Sequence, residues 1–332
     1  MPSATQQPRF TPSPLCRRPV KPAPLTESQV VAVESLREYI HSSPEVKTDL
    51  QRRWADEACL IRYLKSRKWN LQEAKQALLD TIQWRDQFAP DVPDKDALWI
   101  ETKPGKLYIS GFDADSRPLL YMKPRNENTA ASQNQIRHVV FHLEVAIALM
   151  PEGVQTLSIV IDFNGSSMRT SPGAGMAREI IHVLGSHYPE RLGHCYFLHA
   201  PWFFFPFYKL ISPFIDPVTK AKLSFVDMKK QKSRPIVSTP SSASASEVDL
   251  AANNDKASSI ETSPTETPSN TGSLLDMIPV DMLENEFGGT NDYSYDQESY
   301  WSAAVAILAA ARSKLEQGPD PIVAPAPENS KA

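Results

Sequence analysis

Leu157-Ser158-Ile159-Val160-Ile161 is an apolar run of strand length with one polar member, Ser158. A strand with one wet face alternates apolar and polar residues, whereas a nearly continuous apolar run belongs at the centre of a sheet covered on both sides. Outward from this run, helical patterns cover about Gln133 to Met150 before it and Gly175 to Ser186 after it. Strands are expected beyond them at Lys106-Leu107-Tyr108-Ile109-Ser110, Pro118-Leu119-Leu120-Tyr121-Met122, Cys195-Tyr196-Phe197-Leu198-His199 and Leu223-Ser224-Phe225-Val226. The first two flank Asp113-Ala114-Asp115-Ser116-Arg117, a polar connection suited to a hairpin. An aromatic helix from Pro201 to Phe214 separates the last two strands. The resulting β-β-α-β-α-β-α-β order predicts an α/β fold with a mostly parallel, helix-covered sheet.

A small all-helical subdomain precedes the sheet. Its first helix is expected from about Glu27 to Ser42, and Asp56 and Asn70 stand where N-caps would start two more. The second carries Leu60, Ile61 and Leu64 inward and Arg62, Lys65, Arg67 and Lys68 on its outer face and exit. Near the other end, Glu284 to Gly289 closes on a Gly-Gly stop, and Glu298 to Leu315 has helical spacing.

Composition divides the rest. Residues 1–28, 229–273 and 318–332 hold a single aromatic, Phe10, and about half of the 29 prolines. Such segments have little to bury, so they are expected as a disordered arm, insert and tail. The folded parts are then 29–103 (helical), 104–228 (sheet) and 274–317 (C-terminal portion of the same unit). Thirty-five Lys and Arg against 39 Asp and Glu give a net charge of −4, which argues against a nucleic-acid binder. The three cysteines, Cys16, Cys59 and Cys195, form no CxxC pair. No early apolar run suggests a secretory signal, and no stretch reaches the roughly 20 apolar residues of a membrane span. A chain in a reducing, aqueous compartment is expected.

The common catalytic motifs are missing: no GxxxxGK[ST], HExxH or GxSxG occurs. Gly173-Ala174-Gly175 is the nearest approach to a nucleotide loop, but Arg178 stands where a third glycine belongs. His138 and His142 have the i, i+4 spacing of a zinc pair without further ligands, and read better as partly buried or surface histidines. The distinctive stretch is Pro201-Trp202-Phe203-Phe204-Phe205-Pro206-Phe207-Tyr208. Its aromatics are too dense for one inward stripe, and Pro206 is expected to interrupt the helix. A cavity on one side and a membrane or gate on the other would satisfy both faces. A basic run such as Arg62 to Lys68 is ordinarily a solvated face, but beside such a gate it also suits anionic headgroups, by roughly 1 kcal/mol per residue.

Five segments carry a family resemblance. Glu57 to Trp69 resembles the N-terminal helical region of CRAL-TRIO lipid-transfer proteins, with its acid before an L-x-R-[FY]-L core. Asp113 to Pro118 resembles the family's D-x-D-G-R-P hairpin, with Ser116 in place of glycine. Tyr188-Pro189-Glu190-Arg191, Phe214-Ile215-Asp216-Pro217-Val218-Thr219-Lys220-Ala221-Lys222 and Glu286-Phe287-Gly288-Gly289 match three further family motifs in order. The tail from Tyr293 to Trp301 is similar to the fungal phosphatidylinositol-transfer branch linked to sterol and azole tolerance.

The resemblance implies a CRAL-TRIO fold with an apolar lipid pocket, no catalysis and no cofactor. It places Arg67, Lys68, Glu190, Thr219 and Lys222, with a weaker contact from Asp113, around an inositol-phosphate headgroup. It makes Trp202, Phe203, Phe204, Phe205, Phe207 and Phe214 the gate and acyl pocket. The implied work is transfer of phosphatidylinositol between membranes, peripherally at the endoplasmic reticulum or other internal membranes, with a phosphoinositide kinase as a partner. Asn164 to Gly173 does not align with the residues that bind phosphatidylcholine in the founding members, which favours a sterol-like second ligand. An interaction scaffold with an occluded pocket and a nucleotide-using α/β enzyme are the alternatives. Thr11-Pro12, Ser13-Pro14, Thr239-Pro240, Ser263-Pro264 and Thr267-Pro268 are candidate proline-directed phosphorylation sites.

Overall fold

The computed structural model describes residues 7–170, 173–228, 270–271 and 273–318. Five helices come first: α1 (Glu27–Ser42), α2 (Asp49–Trp54), α3 (Glu57–Ser66), α4 (Leu71–Phe88) and α5 (Lys95–Thr102). The cap residues set these boundaries. Asp56 accepts from the Cys59 N–H, and Asn70 from the N–H groups of Gln72 and Glu73, which satisfies amides that a helix start leaves free. α1, α3 and α4 bury Leu36, Ile40, Leu60, Leu64, Leu78 and Ile82 in a core of their own. Leu98 of α5 joins the core of the sheet instead, so the helical unit's own core ends near Ile82.

The sheet contains β1 (Leu107–Phe112), β2 (Pro118–Met122), β3 (Leu157–Asp162), β4 (Leu192–Leu198), β5 (Leu223–Val226) and β6 (Asn270–Thr271), in that spatial order. β1 and β2 form an antiparallel hairpin and all later pairs are parallel. Between strands run α6 (Gln133–Leu149), α7 (Ala174–His187), α8 (Phe204–Ile211) and α9 (Pro217–Lys220), and the last helix is α10 (Gln297–Glu316). The alternating side chains of the strands serve two clusters. Val160, Tyr196, Leu198 and Val226 join a large core with α6 and α10, whereas Cys195, Phe197, Leu223 and Phe225 join a smaller cluster with Phe204 of α8.

Three expectations are corrected. Residues 7–26, expected within a disordered arm, include an extended strap along β1. The register slips between Ile109 and Phe112 at Gly111 (φ +81°), and the Gly111 N–H donates to Arg9 O at 2.8 Å. Phe10 packs on Tyr300, and the Arg17 N–H donates to Ala114 O at 2.7 Å. An edge strand offers unpaired backbone groups, and one aromatic anchor suffices to seat an extended segment on them. His138 and His142, expected to be partly buried or at the surface, are 1% and 0% exposed, because α6 lies between the sheet and α10. Pro206 does not interrupt α8: it falls in the first turn, where its missing N–H costs no bond. The expected insert lies outside the described residues apart from 270–271 and 273, and so does the tail beyond Gly318.

Candidate functional site

The parallel strands all start at one edge of the sheet, and the residues entering them gather there. The Leu157 N–H donates to Arg191 O and the Cys195 N–H to Lys222 O, both at 2.9 Å, which fixes the entries to β4 and β5. Glu190 takes a left-handed conformation (φ +57°) that folds Tyr188-Pro189-Glu190 into a tight turn. Its carboxylate lies 3.9 Å from the Lys222 ammonium. Asp216 caps α9 by accepting from the Thr219 N–H, and the Lys222 N–H donates to Thr219 O, so Thr219 and Lys222 share one turn. Glu190, Thr219 and Lys222 thus form a single half-buried patch.

α3 docks on the same edge. The Tyr63 hydroxyl donates to His187 O at 3.3 Å, and Arg62 and Arg191 both donate to Gln155 Oε1, at 2.7 and 3.2 Å. Arg62, expected on the outer face, is therefore buried, at 9% exposure. Burial first, and then the neighbouring Arg62 guanidinium, lowers Arg191 to about 10. Arg67 caps the end of α3, and Lys68 and Trp69 turn back with φ of +52° and +65°. That reversal leaves Lys68 exposed and Arg67 half-buried at the end of the helix that carries them.

Asp113 is the expected residue that does not join this surface. It is 2% exposed and accepts from Ser158 Oγ at 2.7 Å and from the Arg117 and Asp115 N–H groups. Burial raises its pKa despite these bonds. Its work is internal: it closes the hairpin, whose Ser116 adopts the left-handed φ of +60° where a glycine would be unstrained. Arg117, beside Asp113, lies across Gly193 so closely that a Cβ there would sit 2.6 Å from Arg117 Cδ. Arg117, Arg191 and Gln155 were not among the expected site residues; Arg117 and Arg191 carried a signal as motif positions, and Gln155 carried none.

The aromatic stretch separates by helical spacing. Phe204, Phe207 and Tyr208 face the sheet and Ile211 is buried, while Trp202, Phe205, Leu210 and Phe214 are exposed at 77%, 41%, 50% and 54%, Phe205 also stacking on Phe225 at 5.6 Å. Phe203 is half-buried. Phe204 meets Phe163, Phe197 and Phe225 at centroid distances of 4.8, 5.1 and 5.9 Å. The Arg178 guanidinium of α7 sits 5.1 Å above the Phe214 ring, tying α7 to the end of the α8 segment. In this arrangement α8 rests on the sheet. The cavities of about 490 and 510 Å³ lie elsewhere, beside Tyr108, Lys123 and Glu284 and between α4, α6 and α10. Coverage of this face is nonetheless incomplete: Ile159 and Ile161 of the central strand and Phe225 of β5 are only half-buried.

No group of three or more metal-ligating side chains occurs among the described residues, and His138 and His142 stack on each other within the core. Gly173 begins α7 with no capping side chain.

The CRAL/TRIO domain profile matches residues 102–235 and the CRAL/TRIO N-terminal domain profile residues 32–80, together over half of the chain. The chain belongs to the CRAL/TRIO family. Within it, the CRAL-TRIO domain-containing protein C23B6.04c of Schizosaccharomyces pombe is 35% identical over 276 residues, 82% of this chain and 23% of that protein. The phosphatidylinositol transfer protein PDR17 of Saccharomyces cerevisiae is 36% identical over 197 residues, 56% of each chain. The chain thus spans about a quarter of the first relative and just over half of the second. A solved structure, that of Sfh5, aligns with a TM-score of 0.48 and 16% identity over 61% of this chain and 82% of that one. Among the described residues, no helix is long and apolar enough to cross a membrane.

Proposed function

We propose that this CRAL/TRIO chain binds phosphatidylinositol and carries it between membranes without catalysis. The observation that carries the reading is a juxtaposition: a half-covered apolar cluster on the sheet lies beneath α8, and the Glu190, Thr219 and Lys222 patch lies at the edge of the same sheet. Lys222, with Arg67 and Lys68 from α3, would neutralise the phosphate, while Glu190 and the Thr219 hydroxyl bond inositol hydroxyls. Acyl chains would enter over Ile159, Ile161 and Phe225 as α8 lifts, with Phe204 leaving its three aromatic partners. Each buried CH₂ contributes roughly 0.8 kcal/mol, close to what the bilayer offers, so exchange is feasible in both directions. The exposed Trp202, Phe205, Leu210 and Phe214 suit contact with a lipid surface. The named phosphatidylinositol transfer relative supports the same headgroup. Presentation of the lipid to a phosphoinositide kinase would follow from an opened α8 and needs no further chemistry.

The test is mass spectrometry of lipids that co-purify with the full chain and with Lys222→Ala. Phosphatidylinositol on the parent and at least tenfold less on the variant is the expected result, with melting temperatures within about 2 °C, because a half-exposed ion pair contributes only about 0–1 kcal/mol. A sterol as the sole lipid would sink the headgroup reading while leaving the apolar seat. No lipid on either protein would favour a scaffold with an occluded pocket.

A further inference from the structure

Ser13 stands at the bend of the strap that runs along β1, and its surroundings assign it more than a place in a turn. Its hydroxyl donates to Asp281 Oδ1 at 3.2 Å and accepts from the Leu15 N–H at 3.2 Å. Among the described residues no lysine, arginine or histidine pairs with Asp281, so that carboxylate has the serine hydroxyl and no cation facing it. On one side of Ser13, Phe10 anchors the strap on Tyr300 and Arg9 O holds the Gly111 N–H. On the other, Arg17 ties the strap to the hairpin: its N–H donates to Ala114 O, its carbonyl accepts from Ser116 Oγ at 2.7 Å, and its guanidinium pairs with Asp115 at 2.6 Å. Arg17 is thus already paired with Asp115. Pro14 follows Ser13 directly, which is the sequence that proline-directed kinases modify.

We propose that Ser13 is a phosphorylation site and that phosphate there expels the strap from β1. The γ-phosphoryl group leaves ATP as ADP is released, the Ser13 Oγ–P bond forms, and the hydroxyl proton passes to the kinase's base. The product exchanges a donor for a group of nearly two negative charges and acceptor oxygens, placed against the Asp281 carboxylate. A hydrogen bond becomes a repulsion at a point where the strap meets the segment before the Glu-Phe-Gly-Gly motif. Release frees the bulged edge at Gly111 and removes the Arg17 carbonyl from the Ser116 hydroxyl. The hairpin so loosened is the one whose Arg117 lies across Gly193 beside the Tyr-Pro-Glu-Arg turn. Thr11, the other described residue of this kind, is exposed, whereas Ser13 is half-buried against Asp281.

The test uses the full chain treated with a proline-directed serine/threonine kinase and ATP, alongside Ser13→Ala, Ser13→Glu and Ser13→Glu/Asp281→Asn. Phosphate is expected on Ser13. Hydrogen exchange at the Gly111 amide and tryptic cleavage after Arg9 and Arg17 should rise at least tenfold in the phosphorylated chain and in Ser13→Glu, and stay at the parent level in Ser13→Ala. The double variant should restore Gly111 protection to within about threefold of the parent, because the opposing carboxylate is gone. Unchanged protection in α4 serves as the control for folding. Failure of the kinase to modify Ser13, modification without faster Gly111 exchange, or no restoration by Asp281→Asn would each overturn the proposal. None of these readings requires bound lipid.

Discussion

Along single strands Val160, Tyr196, Leu198 and Val226 belong to the large core that α6 and α10 help to build, while Ile159, Ile161 and Phe225 stay half-buried in the smaller cluster that Phe204 of α8 covers. The two sets alternate along single strands, so composition does not separate them. What differs is the cover. α6 has nine buried residues, and the core beneath it is stitched by bonds such as the Ile109 N–H to the Tyr300 hydroxyl at 2.9 Å. α8 buries only Phe204 and Ile211. One face is a finished core and the other is less completely covered, with α8 held to it through Phe204, Phe207 and Tyr208.

The largest effect should come from cutting equal volumes out of both faces. Leu198→Ala, at 0% exposure, should cost about 4 kcal/mol, while Ile161→Ala, on the loosely covered side, should cost about 1–2 kcal/mol. Urea denaturation of the two variants checks this, and equal losses would abolish the distinction between the faces.

A pH dependence sharpens the comparison from the closed side. Burial pushes His142 down to about 4 and His138 well below the ordinary imidazole value. A depressed histidine is neutral in the fold and takes up its proton more readily when unfolded. Its contribution is therefore present above about pH 6.5 and is lost as pH falls toward 4, by roughly 3 kcal/mol for His142. Glu284, raised by burial to about 7, acts in the opposite sense: its contribution is present at low pH and is lost as pH rises through 7. Stability of the parent and His142→Leu at pH 7 and 4.5 should converge at the lower pH, and parallel curves would refute the assignment.

The smallest effect belongs to the outer surface of the open side. Trp202→Ala should leave the melting temperature within about 1 °C and weaken partition to anionic vesicles roughly three- to tenfold, since an exposed ring loses nothing until it meets lipid. Unaltered partition would detach the exposed aromatics from membrane contact.

Much of the fold was legible from local signals. The caps Asp56 and Asn70, the hairpin residues 113–117 and the run Leu157 to Ile161 each rest on bonds or burial within a few residues, and each element formed where expected. The candidate site was legible in part. Glu190, Thr219 and Lys222 come together as motif positions, but Asp113, equally prominent in sequence, turned inward because Ser158 of a distant strand supplies it a donor. The strap was not legible at all, since proline-rich composition describes what a segment cannot bury by itself, not an edge that another segment offers it.

Chain order, helix boundaries, the parallel sheet and the motif residues at its edge were determined by the sequence alone, because periodicity, caps and turn chemistry act over a few residues. Tertiary structure alone decided which alternate strand positions became core and which stayed half-buried, that Arg62, His138 and His142 are buried, and that Ser13 faces Asp281. The physical reason is the same in each case: burial and pairing depend on what packs from elsewhere in the chain, and a residue's neighbours in sequence do not carry that information.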